Sequence, residues 1–332
     1  MRKLLKTVVL LVAVLALQVG PSTAFAAPAN NGYRLSPVRT DLTIAKGASD
    51  QVTVYIQNAS SSEEHLQVVV DDFEAPTNES GYPALLLNGA AAPSHSLKQF
   101  VTIPTPTLTL QPNQQEAVSV NIAIPPDATS GGYYGAIRFA PISISANGNK
   151  NVNLSASVAS LVLVTVPGNL QEHMSISSFG ISQGSSTNTV TKSIFFSNNH
   201  LNGIIRFQNT GNVQEQPFGN VVLKKGNKEL GTFAVNNADV PGNVLPGSIR
   251  LFTVKLSKVG WFGEYKAEGN FGYGSQGQLL TASATFYVIP VLVIIIIILI
   301  ILLILFLIFG LPRVIRAYNR RVIARSSTNR RQ

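Results

Sequence analysis

Nineteen consecutive apolar residues, Val291 to Phe309, constrain this chain more than any other feature in it. As an α-helix at 1.5 Å per residue the run is about 28 Å long, close to the roughly 30 Å of a bilayer's hydrocarbon core. Seven arginines and no acid follow, at positions 313, 316, 320, 321, 325, 330 and 331. Basic flanks stay on the cytoplasmic side, so Arg313, Arg316, Arg320 and Arg321 are read as the orientation-setting residues, with the C-terminus inside and everything before residue 288 outside.

The other end is consistent with export. Arg2, Lys3 and Lys6 precede a short apolar stretch, Thr7 to Leu17, and Ala24-Phe25-Ala26 offers small residues where a signal peptidase reads them. Residues 1–26 are therefore expected to be a signal peptide. The stretch is too short for a second membrane span.

Position also disposes of nucleic acid as a partner, which a net charge of +9 would otherwise suggest. Of 25 lysines and arginines, three lie in the leader and seven in the tail, leaving 15 against all 16 acids. The exported region is nearly neutral and its wet surface is mostly Ser, Thr, Asn, Gln and Gly, which suits contact with glycans or neutral surfaces. With no cysteine in the chain, disulfides, thiol catalysis and thiolate metal sites are excluded.

From Tyr33 to Tyr287 short β-type runs alternate with Gly-, Pro- and Asn-rich turns. Gln51 to Ile56 and Ala117 to Ile124 alternate apolar and polar residues, as one buried face requires. The plan repeats. Ile56-Gln57-Asn58, Leu110-Gln111-Pro112 and Gly132-Tyr133-Tyr134-Gly135-Ala136 in the first half are answered by Phe207-Gln208-Asn209, Leu245-Pro246-Gly247 and Gly263-Glu264-Tyr265-Lys266-Ala267 in the second. Tyr133, Tyr134 and Tyr265 are candidates for the corner tyrosine of an immunoglobulin-type sandwich, with Ala136 and Ala267 about where a cysteine would close it. The expected fold is all-β: two tandem immunoglobulin-like β-sandwiches, residues 27–168 and 169–287, then a single transmembrane helix (288–310) and a basic cytoplasmic tail (311–332).

In order and content this resembles the WxL-interacting protein family of bacterial cell-surface proteins, whose first domain is of the type once filed as unknown-function family 916. The residues that carry the likeness are Leu35-Ser36-Pro37, Gln57-Asn58, Leu110-Gln111-Pro112-Asn113, Gly131 to Phe139, and Val244 to Arg250. The resemblance implies an outer domain that binds peptidoglycan and a membrane-proximal one that holds surface partners.

Enzyme-like strings carry less weight. Gly180-Ile181-Ser182-Gln183-Gly184 fits Gly-x-Ser-x-Gly, but poor helix formers follow, so Ser182 is read as lying in a β-turn rather than on a nucleophile elbow. Gly272 to Gly277 fits a dinucleotide pattern, yet a strand follows where a helix is needed, so it reads as a hairpin turn. Asp71, Asp72 and Glu74 are the densest acidic group but lack the glycine and further acids of a calcium loop. The histidines are scattered, and Trp261-Phe262 reads either as a sugar platform or as a loop tip near the bilayer. Three sequons begin at Asn58, Asn78 and Asn153.

The expectation is a non-enzymatic, membrane-anchored surface protein, without catalytic, cofactor or metal residues, that attaches cell-wall glycan or a surface protein to the cell membrane. The alternative is an extracytoplasmic assembly factor acting by strand addition, and a remote one is a hydrolase using Ser182.

Overall fold

The computed structural model describes residues 32–87, 92, 94–142, 157–184 and 191–328, with side chains described through residue 319. The expected signal peptide, the sequon at Asn153 and the tail residues Arg330 and Arg331 lie outside the described residues, as do the side chains of Arg320 and Arg321.

Among the described residues the protein is all-β apart from a 3-10 turn at Lys98–Phe100 and its C-terminal helix, and its strands form two immunoglobulin-like sandwiches. In the first, β1 (Tyr33–Ser36), β3 (Ser49–Asn58), β8 (Gln115–Ala123) and β6 (Val101–Thr102) make one sheet. Its mate is ordered β2 (Arg39–Thr43), β10 (Val158–Val166), β9 (Gly131–Pro141), β4 (Glu64–Glu74) and β5 (Ala84–Leu86), with β7 (Thr107–Leu110) also on β4. The cis Ser36–Pro37 bond lies where the chain crosses from one sheet to the other. Alternation decides which residues face inward: on β3 Val52, Val54 and Ile56 are buried and meet Val118, Val120 and Ile122 of β8 within one apolar cluster.

The second sandwich has a three-stranded sheet, β11 (Met174–Gln183), β13 (Leu201–Asn209) and β16 (Ile249–Lys255). The opposing sheet runs β12 (Ile194–Phe195), β18 (Gln278–Val288), β17 (Gly263–Tyr273), β14 (Phe218–Lys225) and β15 (Lys228–Val235). Its core is aromatic: Phe207 meets Phe271 edge-on at 5.1 Å, and Tyr265 stacks on Phe286 at 5.5 Å.

Two residues after β18, helix α1 (Val291–Leu305) begins, continuing through a wider turn at Phe306–Gly310 into α2 (Leu311–Thr328). Pro312 has no N–H to donate, which fits a local loosening of the ladder there, and Arg313 Nη1 donates to the Phe309 carbonyl at 2.6 Å. Among the described residues this is one helix long and apolar enough to cross a membrane.

The repeat seen in the sequence is a repeat of hydrogen bonds. Asn58, at the end of β3, is fully buried; its amide donates to the Ser62 and Leu110 carbonyls (2.7 and 3.1 Å) and its Oδ1 accepts from Ser60 N–H. Asn209, at the end of β13, donates to Val213 and Val244 (2.7 and 2.9 Å) and accepts from Gly211 N–H. Each asparagine therefore ties the end of a strand to its own turn and to a neighbouring segment, β7 for Asn58 and the bridge residue Val244 for Asn209. The folded state leaves the Asn58 side chain no room to carry a glycan.

Candidate functional site

Strand β9 is buried along almost its whole length because its sheet has something to cover on both sides. Tyr133, Ile137 and Phe139 point into the first sandwich's core. Tyr134 and Ala136 point the other way, with Phe73 and Leu163 and the partly buried Leu85, Leu161 and Leu245, the last from the second sandwich. The second face of this sheet is thus one wall of a cleft between the two sandwiches.

Three sets of contacts hold the cleft. Gly132 N–H donates to the Asn212 carbonyl (2.8 Å), Tyr134 Oη to Gln214 Oε1 (3.0 Å), and Gln214 Nε2 to Thr165 Oγ1 (3.1 Å). The excursion after β4 crosses to the edge strand β16, where Leu251 N–H donates to the Glu79 carbonyl and the Glu79 carboxylate pairs with Arg206 at 2.6 Å. Arg39 Nη1 donates to the Pro241 carbonyl at 2.6 Å. Glycines allow these approaches: a Cβ at Gly131 (φ +144°) would stand 2.7 Å from the Asn212 carbonyl oxygen, and one at Gly132 would overlap the Tyr134 hydroxyl.

The cleft encloses about 530 Å³ and its chemistry is two-sided. Phe73, Leu85, Leu161, Leu163 and Leu245 give an apolar wall, while Arg39 and Arg250 supply two guanidinium groups. Arg39 is paired with Asp41 at 2.8 Å. Arg250 has no carboxylate partner among the described residues: Nη1 donates to the Asn243 carbonyl (2.8 Å), Nε is buried without an acceptor, and the guanidinium lies over the Phe252 ring at 5.1 Å. Burial, and secondarily the charge of Arg39, hold its pKa below the ordinary value. A desolvated cation beside a second cation favours an anion, and the apolar wall favours an attached hydrocarbon or methyl-bearing group. The arrangement suits binding of a carboxylate carried on a partly apolar chain.

Of the residues singled out from sequence, Tyr133 donates its hydroxyl to the Thr129 carbonyl (2.9 Å) and Tyr265 to the Phe262 carbonyl (3.1 Å), both a few residues upstream. Tyr134 instead reaches across the cleft to Gln214. Ala136 is a correction. It faces the cleft, and the small inward residue matching Ala267 is Gly135, where a Cβ would come within 3.1 Å of Leu97. A register error of one residue moves a side chain to the opposite face of a sheet. Arg313 and Arg316 lie exposed beyond the apolar run.

Ser182 is not in a turn as expected. It lies in β11 opposite Asn202, 2% exposed and with an unpartnered hydroxyl. Gly272 to Gly277 is the hairpin between β17 and β18, with Gly274 and Gly277 at positive φ. Asp71 and Asp72 are internally satisfied, Asp71 by Arg138 (2.5 Å) and Asp72 by Ser96 Oγ (2.6 Å) and Lys98 N–H (2.9 Å). Among the described residues no group of three or more potential metal ligands occurs. Sequence reasoning did not pair Arg39 with Arg250: they are 211 positions apart, Arg39 lies in no motif, and Arg250 enters only as the last residue of the Val244 to Arg250 stretch, with no role attached.

Residues 40–141 match the family model for the WxL Interacting Protein, peptidoglycan binding domain, the family expected from the sequence. That span covers most of the first sandwich. No curated protein matches the chain. Among solved structures the chain is similar to the class 5 fimbriae chaperone CfaA, at 13% identity and a TM-score of 0.34, covering 78% of this chain and 100% of that one. It is also similar to the Pseudomonas aeruginosa chaperone CupB2 (12% identity, TM-score 0.33, 75% and 98% covered) and to the E. coli chaperone DraB (14%, 0.32, 77% and 96%).

Proposed function

We propose that this is a membrane-anchored binding protein of the bacterial cell surface that attaches peptidoglycan to the membrane without turnover. The observation that carries the reading is the match of residues 40–141 to a peptidoglycan binding domain, in a chain that also has one helix suited to spanning a bilayer. In this reading the exterior divides near Gly168, the arginine-rich tail is cytoplasmic, and the second sandwich stands against the membrane with the first projecting toward the wall.

The cleft between the sandwiches is our candidate seat for the wall ligand. Peptidoglycan joins neutral sugars to short peptides with free carboxylates and methyl side chains, which complements two guanidinium groups beside an apolar wall. The test uses the full chain in detergent and two soluble wall fragments, glycan with its peptide stems and the same glycan after amidase removes the stems and the lactyl carboxylates so exposed are capped as methylamides. The stemmed fragment should bind, and Ala159→Trp, which fills the cleft, should weaken it while leaving the melting transition in place. Binding of both fragments alike, or an Ala159→Trp chain that binds normally, would put the seat elsewhere.

A further inference from the structure

The loop before β17 reads Gly260-Trp261-Phe262-Gly263, and its rings are turned outward: Trp261 is 66% exposed and Phe262 44%. Their centroids are 5.7 Å apart, so they form one apolar knob. Isolated exposed hydrophobic residues need no explanation, but this pair is held in place. The Phe262 carbonyl accepts from Lys225 Nζ at 2.9 Å and from Tyr265 Oη at 3.1 Å. The flanking glycines fit their places: a Cβ at Gly260 would stand 2.6 Å from the Tyr265 hydroxyl, and Gly263 adopts φ +122°, a backbone conformation that favours glycine.

Where the knob points follows from register. Gly263 pairs with Val288, the last residue of β18, and only Ile289 and Pro290 separate Val288 from the first residue of α1. At about 3.3 Å per extended residue the connector spans at most roughly 10 Å, and the cross-strand step from Val288 adds about 5 Å, so Gly263 at the loop's end lies within roughly 15 Å of the helix entry whatever the angle between helix and sandwich. Connector and edge strand are tied together as well, with Ile289 N–H donating to the Phe195 carbonyl at 2.8 Å. The neighbouring exposed side chains are also apolar: Phe196 is 57% exposed and Ile194 52%, with Tyr287 opposite Ile194. Glu264, cross-strand from Tyr287, keeps that rung among polar groups and out of hydrocarbon.

We propose that the Trp261–Phe262 knob, with Phe196 and Ile194 beside it, is a lipid-docking surface that enters the headgroup region of the outer leaflet and fixes the tilt of the exterior on its helix. Trp rings are favoured at that depth, and the Lys225 ammonium beside the knob is placed to meet lipid phosphates. A rigid loop loses less conformational freedom on insertion than a mobile one. This inference rests on α1 being a membrane anchor.

The chain contains one tryptophan, so its fluorescence reports on the knob alone. The full chain is reconstituted into phosphatidylcholine–phosphatidylglycerol vesicles with bromine on the upper acyl chain, and association is checked by flotation after an alkaline carbonate wash. Trp261 emission should be blue-shifted, lose most of its intensity to the brominated lipid and resist iodide. A W261F/L279W chain, whose reporter is at an 82% exposed position near the far hairpin, should show the reverse. Vesicle-bound protein whose Trp261 emits as in water and is quenched by iodide would overturn the knob while leaving the anchor intact. Protein washed off by carbonate would overturn the anchor and the knob with it.

Discussion

Asn58 and Asn209 do the same work in two sandwiches, and each does it with a single amide. Both are fully buried; replacing Asn209 by alanine strands two carbonyl oxygens and a backbone N–H, and replacing Asn58 strands three carbonyl oxygens and a backbone N–H. Unsatisfied buried groups cost about 1–3 kcal/mol each, partly relieved by water, so Asn209→Ala should lower stability by about 2–4 kcal/mol in urea unfolding. Glu215 is a different kind of buried polar residue. It is 3% exposed, its Oε1 has no partner, and burial together with the nearby Glu172 raises its pKa from an ordinary 4.5 to about 7. Between those two values the folded chain keeps a proton that the unfolded chain releases. Its contribution is therefore fully present below pH 4.5, and on the order of 3 kcal/mol is lost as pH rises to about 7. Glu215→Gln should move the urea midpoint little at pH 5 and raise it at pH 8; an equal shift at both would refute this. The asparagines were legible in the sequence as a repeated Gln-Asn step. Glu215 was not, because nothing local distinguishes a carboxylate that tertiary packing will bury.

At the scale of elements, alternation located the strands well. Gln51 to Ile56 falls on β3, and Ala117 to Ile124 on β8 except for its last residue, since one buried and one wet face leave a period of two. Strand β9 follows another rule. Covered on both faces, it has no polar alternation from which to read which side is in, and so Ala136 was assigned to the wrong face and the cleft went unseen. The same crowding makes β9 the point at which the two sandwiches can be loosened. Gly132→Val would push the Tyr134 hydroxyl off Gln214 and separate Gly132 from Asn212. Small-angle scattering should then show a larger radius of gyration, with far-ultraviolet dichroism unchanged; an unaltered radius would mean that the Glu79 contacts with Arg206 and Leu251 hold the pair by themselves.

For the molecule as a whole, the membrane-length apolar helix was the most legible part, because a nineteen-residue apolar run needs no tertiary information to interpret. The cleft was the least legible, since Arg39 and Arg250 meet only through the packing of two sandwiches. The absence of cysteine makes orientation directly accessible: Asn227→Cys, in the β14–β15 turn, should react with an impermeant maleimide on intact cells, and Ser327→Cys only after permeabilisation. The central claim joins that orientation to wall recognition, and right-side-out membrane vesicles carrying the full chain test both together. Mixed with protein-free cell walls, the vesicles should be captured on the walls and released by soluble wall fragments. Vesicles that ignore protein-free walls, or that are captured only when wall proteins are left in place, would contradict the account.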